Sequence, residues 1–426
     1  MARSFLQCID PGCGRVHGLE WTAPHCAACD NLLDVAYQFD SAAPRDLPRL
    51  WRERRASNAA IDRSGVWRFR ELLPFLAPDA QPVTLGEGGT PLVPAPRAGR
   101  WAGELRLAVK HLGANPTGSF KDLGMTTCSS AAVAAGARVL ACASTGNTSS
   151  SMAAYAARAG LPAVMFVPYQ GIASAKLAQA IEFGAKVLEV RGSFDDAFRL
   201  LAAVAAERGF YLVNSINPFR LEGQKTAVVE ILEQRDWRPP DFLVLPGGNL
   251  GNVSAMGKAL RELTALGLIE RSPRLVVVQA EGAAPFYRQW QTGGALVPVE
   301  HPETEATAIR IGRPANWPKA RRELEATEGF VEAVSDAEIG QAKAALASDG
   351  IGCEPASAAT VAGLRKLRRS GRIPAEADVV AILTGNQLKD PDYILRHHTG
   401  TDAGARAVTD PEPEAARRVL DALLGG

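Results

Sequence analysis

Long apolar runs are missing from this chain. No stretch approaches the ~18 uninterrupted apolar residues of a membrane-spanning helix, so no membrane span and no membrane partner is expected. The opening MARSFLQCIDPGCG lacks the long apolar region of a signal peptide, and a cytoplasmic setting is expected. A charge excess is missing too. Lys plus Arg number 47 and Asp plus Glu 46, a formal charge of +1. That balance gives no support for nucleic acid or an anionic membrane as the main partner. Internal repeats and low-complexity tracts do not occur.

What is there is the make-up of an ordinary globular protein, 46% hydrophobic and 22% charged. Its 426 residues are too many for one simple core, so two or three domains are expected. Seven cysteines, an odd number, argue with the cytoplasmic reading against a disulfide framework. Cys128, Cys142 and Cys353 lie far apart among apolar or small residues and read as buried packing residues. Cys8, Cys13, Cys26 and Cys29 cluster in the first forty residues. CIDPGC and CAAC look like two ligand knuckles, and four thiolates would suit a tetrahedral zinc. The first spacing is CxxxxC rather than the commoner CxxC, so a ribbon without metal stands equally open. His17 is a spare ligand or a lone surface histidine.

Residues about 42 to 80 carry helical patterns. From about 104 the chain alternates apolar strands with amphipathic helices. RVLACAS (138–144), PAVMFVP (162–168), KVLEVRG, FYLVNS (210–215), DFLVLPGG (241–248), RLVVVQAEG (274–282) and DVVAILTG (378–385) read as strands. The helices between them begin on capping pairs such as Ser193 with Asp196 and Ser335 with Glu338. Such alternation means mostly parallel sheets covered on both faces, and two of them fit the length. The tail beyond about 398 is polar, then weakly helical.

Ligands of parallel sheets sit beyond the carboxyl ends of the strands. Those ends here are STGNTSSS, INPFR, GGNLGN and Thr384 with GNQLKDP, all polar and rich in glycine or asparagine. GGNLGN (247–252) opens a helix, where close backbone approach and free N–H groups suit a phosphate. It is neither GxGxxG nor GK[ST], and no acidic residue is placed for a ribose, so a phosphate without a nucleotide is the better reading beside a plain tight turn. STGNTSSS (144–151) suits a helix cap or a carboxylate. In NPTGSFKDLGM (115–125) a turn leads to Lys121 and Asp122 in the first turn of a helix, with Ser119 placed to cap it. A helix N-terminus disfavours the charged amine, which helps a lysine act as a nucleophile. Beside a phosphate loop without nucleotide features, that suggests a Schiff base to pyridoxal phosphate.

NPTGSFKD, ASTGNTSSSMAAYAARAG, NSINPFRLEGQKT (214–226), LPGGNLGN, ATAIRIGRPANW (306–317), GCEPASAA (352–359) and LTGNQLKDP (383–391) together resemble the fold-type-II pyridoxal-phosphate enzymes, and the threonine synthases among them. The resemblance runs from about residue 5 to 395. It implies an α/β, tryptophan synthase β-like architecture of two doubly wound domains behind a small cysteine-rich, ribbon-like segment. The expected division is 1–40 for that segment, 41–115 and 226–400 for a large pyridoxal-phosphate domain, 116–225 for a small substrate domain, and 401–426 for the tail. A homodimer is the family expectation. By resemblance, Lys121 would carry pyridoxal 5'-phosphate and shuttle protons, and Asn147 would bond its phenolic oxygen. Gly247, Gly248, Asn249, Leu250, Gly251 and Asn252 would wrap its phosphate, and Thr384 would face its pyridine nitrogen. Ser144, Thr145 and Thr148 would hold the substrate carboxylate, while Ser215, Asn217 and Arg220 would take a substrate phosphate. The implied enzyme is a carbon–oxygen lyase acting on phosphates, turning O-phospho-L-homoserine and water into L-threonine and phosphate. Cysteate synthase, a threonine/serine dehydratase and a non-catalytic cofactor-binding relative are the alternatives. Two departures stand out: Leu123 where members commonly carry arginine, and Asn386 with Gln387 where they commonly carry a histidine and a small residue.

Overall fold

The computed structural model describes residues 3–39, 46–169, 175–398 and 409–424. Its first element is a small antiparallel sheet of β1 (Arg3–Cys8), β2 (Val16–His17) and β3 (Leu33–Gln38), with β1 in the middle. The turn after β1 is set by Asp10, whose carboxylate accepts from Gly12 N at 2.9 Å, and by Gly14 at φ +55°. β4 (Leu92–Pro94) and β5 (Arg106–His111) then pair antiparallel and open the largest sheet. The chain leaves it for β6 (Leu140–Ala143), β7 (Ala163–Pro168), β8 (Lys186–Val190) and β9 (Tyr211–Leu212), a parallel sheet in the order β8-β7-β6-β9. It returns with β10 (Phe242–Pro246), β11 (Arg274–Ala280), β12 (Phe330–Val334) and β13 (Asp378–Leu383). These complete a six-stranded sheet in the order β12-β11-β10-β13-β5-β4, parallel except at β4.

Strands β6, β10, β11, β12 and β13 are buried on both faces, which is why they read as nearly unbroken apolar runs. Leu243, Leu245, Val380 and Ile382 face one core, while Val244, Val276, Val379 and Ala381 face the other. In β6, Leu140 and Cys142 face one core and Ala141 and Ala143 the opposite one. Cys128, Cys142 and Cys353 are fully buried packing residues, as expected. Each aliphatic side chain so buried contributes about 1.5–3 kcal/mol. Both expected capping pairs are closed on both sides, at Ser193 with Asp196 and Ser335 with Glu338.

Three elements differ from the sequence expectation. The strand expected over 210–215 stops at Leu212, because the Asn214 amide takes over the pairing, donating to Ala143 O at 3.0 Å. β4 and β12 are edge strands that the sequence pattern did not reveal. β4 ends on a proline, tolerated where one side needs no donor. β12 carries a charge, Glu332, in a short run. The tail helix spans Pro413–Leu424, and residues 399–408 of the expected tail lie outside the described ones.

Two helices position the lysine turn. Lys121–Ala134 and Pro218–Gln234 cross with their backbones touching, since a Cβ on Gly223 would overlap Leu123 O and one on Gly124 would come within 2.7 Å of Arg220 O. Only glycines permit that approach. It brings the start of the Lys121 helix beside Arg220. Helix Pro218–Gln234 also runs unbroken through residue 225. The N-terminal sheet is fixed to the body by β3. Asp34 pairs with Lys319 and Arg322, each at 2.8 Å, and Tyr37 Oη donates to Glu222 at 2.6 Å.

Candidate active site

Each parallel sheet has one place where its strand order reverses, and ligand crevices form beyond the strand ends there. In the six-stranded sheet β10 lies between β11 and β13. In the four-stranded sheet β6 lies between β7 and β9. The segments leaving these strands are 247–252, 384–386, 144–148 and 213–220, the four polar ends picked out by sequence. They meet. Asn249 Nδ2 donates to Ser215 Oγ at 2.6 Å, Asn316 Nδ2 to Ser215 O at 3.1 Å, and Asn147 Nδ2 to Glu354 Oε2 at 3.1 Å.

The lysine turn is bolted to the end of β13. Phe120 N donates to Thr384 O and Asn386 N to Gly118 O, both at 2.9 Å, and Glu354 N donates to Gly385 O at 3.0 Å. Lys121 opens its helix as expected. Ser119 Oγ reaches Lys121 N only at 3.4 Å, so it is a weak cap. The turn is held instead by buried Asp122, which accepts from Thr117 N, Thr117 Oγ1 and Ser151 Oγ at 2.6–2.7 Å. Burial lifts the pKa of Asp122 to about 6 against those hydrogen bonds.

Lys121 Nζ lies over the Phe120 ring at 4.1 Å and has no ion pair among the described residues. Burial and then the Arg220 guanidinium lower its pKa to about 7, and the Glu354 charge pulls the other way. The neutral amine is thereby made accessible near neutral pH, a state suited to nucleophilic attack and proton transfer. Arg220 is fully buried. Its Nη1 donates to Val213 O at 2.9 Å, while Nε and Nη2 have no partner and no carboxylate pairs with it among the described residues. A buried guanidinium with two idle nitrogens is half of an anion site.

The 247–252 turn leads into helix Gly251–Ala265, whose first N–H groups have no intrahelical carbonyl. Leu250 sits at φ +65°, a left-handed conformation that costs a non-glycine residue about 1–2 kcal/mol, and its side chain is sealed in the core. Gly248 is pressed against the 306–309 segment, where a Cβ would come 3.1 Å from Ala308 O. Asn249 braces the turn by accepting from Ala315 N at 2.6 Å. Asn252 braces it by donating to Pro246 O at 3.1 Å and accepting from Val253 N at 2.9 Å.

A sequence profile described as "Pyridoxal-phosphate dependent enzyme" matches residues 83–385. The chain belongs to that family. Within it, the chain is 44% identical to the threonine synthase of Methanosarcina acetivorans, an alignment covering 95% of this chain and 98% of that one. With the threonine synthase of Methanocaldococcus jannaschii the identity is 43%, covering 90% and 93%. The fold is shared more widely. Diaminopropionate ammonia lyase from Escherichia coli superimposes with a TM-score of 0.63 at 17% identity, covering 75% of this chain and 90% of that one.

The residues present fit the family's pyridoxal phosphate. Lys121 offers an unpaired amine of lowered pKa. The glycine turn offers a helix N-terminus for the phosphate. Asn147, 5% exposed, has an unpartnered Oδ1 and a second amide hydrogen beyond the one Glu354 accepts. Thr384 Oγ1 lies 3.1 Å from Ser357 Oγ and 3.3 Å from Glu354 Oε1. Ser144, Thr145 and Thr148 surround the start of helix Asn147–Ala159, half-buried, with Ser144 Oγ accepting from Gly146 N at 3.2 Å.

Asn217 is employed differently from expectation. Its Oδ1 caps its own helix at Phe219 N, 3.0 Å away, and its Nδ2 donates to Leu212 O at 2.9 Å, so neither end is free for a substrate. The departures also find structural roles. Leu123 is buried in the large core. Asn386 Oδ1 accepts from Leu388 N at 3.0 Å and caps a short 3-10 turn. Sequence reasoning missed Glu354, Ser357, Asn316 and Gln224, whose buried Oε1 has no partner and lies near Gly251 at the start of the 251–265 helix. All four lie in segments that carry the family resemblance, and Glu354 stood out further as a charged residue amid small ones just before a helix-starting proline. The sulfurs of Cys8, Cys13, Cys26 and Cys29 all lie within 4.8 Å of one another, with Cys8–Cys29 at 3.4 Å and Cys13–Cys26 at 3.8 Å. His17 is no lone surface group, since its Nε2 lies 3.5 Å from Cys26 Sγ.

Proposed function

We propose that this chain is a threonine synthase, converting O-phospho-L-homoserine and water to L-threonine and phosphate. The observation that carries the reading is the unpaired, buried Arg220 beside the Lys121 amine, in a chain alignable end to end with threonine synthases. A substrate with both an amino group and a terminal phosphate suits that pair.

When bound, pyridoxal phosphate supplies an electron sink for negative charge at the substrate's α and β carbons. The first turn of helix Gly251–Ala265 holds the cofactor phosphate, and Asn147 and Thr384 orient the ring. The hydroxyls and N–H groups of Ser144, Thr145 and Thr148 take the substrate carboxylate. Arg220 and Ser215 take the substrate phosphate and stabilise it as it leaves. The Lys121 amine removes the α proton and later returns one. Across the reaction the Cγ–O bond and one Cβ–H bond break while a Cγ–H and a Cβ–O bond form; water supplies the new hydroxyl, and its other proton goes to the released phosphate. Asn386 does not titrate near neutral pH, so it carries no proton in this scheme.

The test is phosphate release from O-phosphohomoserine by the loaded protein, with products identified. Phosphate and threonine in equal amounts are expected. Cysteate from phosphoserine and sulfite, with no threonine, would move the chain to cysteate synthase, and silence in both would sink the synthase reading.

A large cofactor domain (41–115 and 226–400) around a small substrate domain (116–225) belongs to the same proposal, as do a cytoplasmic setting and a homodimer. All seven cysteines are unpaired, in keeping with a reducing compartment. We also propose that Cys8, Cys13, Cys26 and Cys29 hold a structural zinc. Tetrahedral Zn–S bonds of about 2.3 Å place the sulfurs about 3.8 Å apart, close to the spacing of the two pairs. Purified protein is expected to contain about one zinc per chain by elemental analysis, and Cys13→Ser with Cys26→Ser to lose it and melt lower. Zinc-free protein with an unchanged melting temperature would refute the site.

A further inference from the structure

Glu354 is the titratable group at the site that the proposed reaction leaves without a role. It is 1% exposed and precedes helix Pro355–Arg369, yet its side chain makes no cap bond to that helix. The carboxylate turns into the site. It accepts from Asn147 Nδ2 at 3.1 and 3.3 Å and from Thr384 Oγ1 at 3.3 Å. No Lys or Arg pairs with it among the described residues. It is seated against the backbone of Gly385, where any Cβ would overlap Oε1. A carboxylate buried among neutral donors is expensive to keep, so its retention calls for a task.

We propose that Glu354 is a positioning residue: held against Gly385, its carboxylate aims the Asn147 amide and the Thr384 hydroxyl at the cofactor site and sets the negative charge that faces Lys121 across it. This rests on the proposed function for the reaction, but the charge effect is independent of substrate. Arg220, from helix Pro218–Gln234, and burial both favour the neutral amine of Lys121, and Glu354 is the charge opposing them. Lys389, whose pKa burial lowers to about 8, faces Glu354 and Asp122 from the 3-10 turn and donates to Ser150 Oγ at 3.0 Å. Asn386, in the same turn, adds no charge. The carboxylate thus balances the cations that converge from three elements.

The test compares full-length wild type, Glu354→Gln and Glu354→Asp. Lys121 is acylated with acetic anhydride after cofactor removal, as a function of pH, and the modified peptide is quantified by mass spectrometry. The loaded proteins are titrated through the visible cofactor band. In wild type the Lys121 midpoint should lie near 7. Removing the negative charge makes loss of the proton easier, so Glu354→Gln should shift the midpoint down by about one pH unit. Its kcat should fall about 10²-fold with little change in KM. Glu354→Asp keeps the charge but not the reach, so its midpoint should stay near that of wild type while kcat falls. A purely structural role would lower the melting temperature and leave the midpoint alone. A folded Glu354→Gln protein with an unmoved midpoint overturns the proposal, whether or not threonine is the product. Should Glu354→Gln fail to fold, Glu354→Asp decides instead: a folded Glu354→Asp protein with an unchanged kcat overturns the positioning role.

Discussion

Lys121→Ala is expected to abolish threonine formation from O-phosphohomoserine, with kcat/KM falling at least ~10³-fold, while the protein still folds. Lys121 lies where its helix begins, half-buried, with no ion pair among the described residues, so its removal breaks no salt bridge. What is lost is an amine whose pKa of about 7 matches the pH at which it must both give and take protons. The same group should leave a trace in stability. Its folded pKa lies below the unfolded lysine value of about 10.4, so between about pH 7 and that value the unfolded chain binds more protons. Stability of cofactor-free wild type therefore gains a rising contribution with pH across that window. Lys121→Ala should lack it. Denaturant melts of both proteins at about pH 6.5, 8 and 9.5 would read the difference, and parallel curves would mean that Lys121 is not a buried, deprotonation-prone amine.

Much of this arrangement is legible in the chain itself. The polar, glycine-rich segments follow apolar strands, and parallel sheets place such segments together, so 144–151, the 247–252 turn and Thr384 could be gathered from the sequence, while the place of Lys121 among them and the part played by Asn147 came from the resemblance to a known family. Two things were beyond sequence. The first is how a polar side chain is employed. Asn217 and Asn386 carry the same amide as Asn147, yet the first two cap local backbone and only Asn147 keeps an acceptor buried and idle. Residue type cannot separate those uses, because capping and ligand binding draw on the same donors and acceptors. The second is contact between distant segments. Glu354 and Ser357 become part of the site only because the end of β13 lies across the start of their helix. There Ser357 Oγ accepts from Thr384 N at 2.8 Å and Gly385 N at 3.1 Å. The strand that fell short at Leu212 illustrates the same limit, since a side-chain amide replaced the backbone ladder.

Arg220→Met should separate function from stability in opposite directions. In the cofactor-free protein the guanidinium is fully buried, makes one bond to a backbone carbonyl, and has no carboxylate partner among the described residues. The two thiols that could offset its charge, Cys128 and Cys142, are pushed up to about 12 by burial and stay neutral. Burial lowers the pKa of Arg220, yet a guanidinium keeps its proton at neutral pH. An uncompensated interior charge of this kind costs several kcal/mol, so a methionine of similar reach should raise the melting temperature of the unliganded protein by a few degrees, about 2–4 °C per kcal/mol. The same change should cut kcat/KM for O-phosphohomoserine by roughly 10²–10⁴, the loss of two charge-assisted hydrogen bonds to phosphate at about 1.5–3 kcal/mol each. Inorganic phosphate should stabilise wild type in a thermal-shift titration and leave Arg220→Met unmoved. A destabilised variant that still responds to phosphate would mean that Arg220 supports the fold and that another group receives the anion. A stabilised, inactive, phosphate-blind variant would mean that the chain keeps a destabilising charge in its interior for a substrate phosphate.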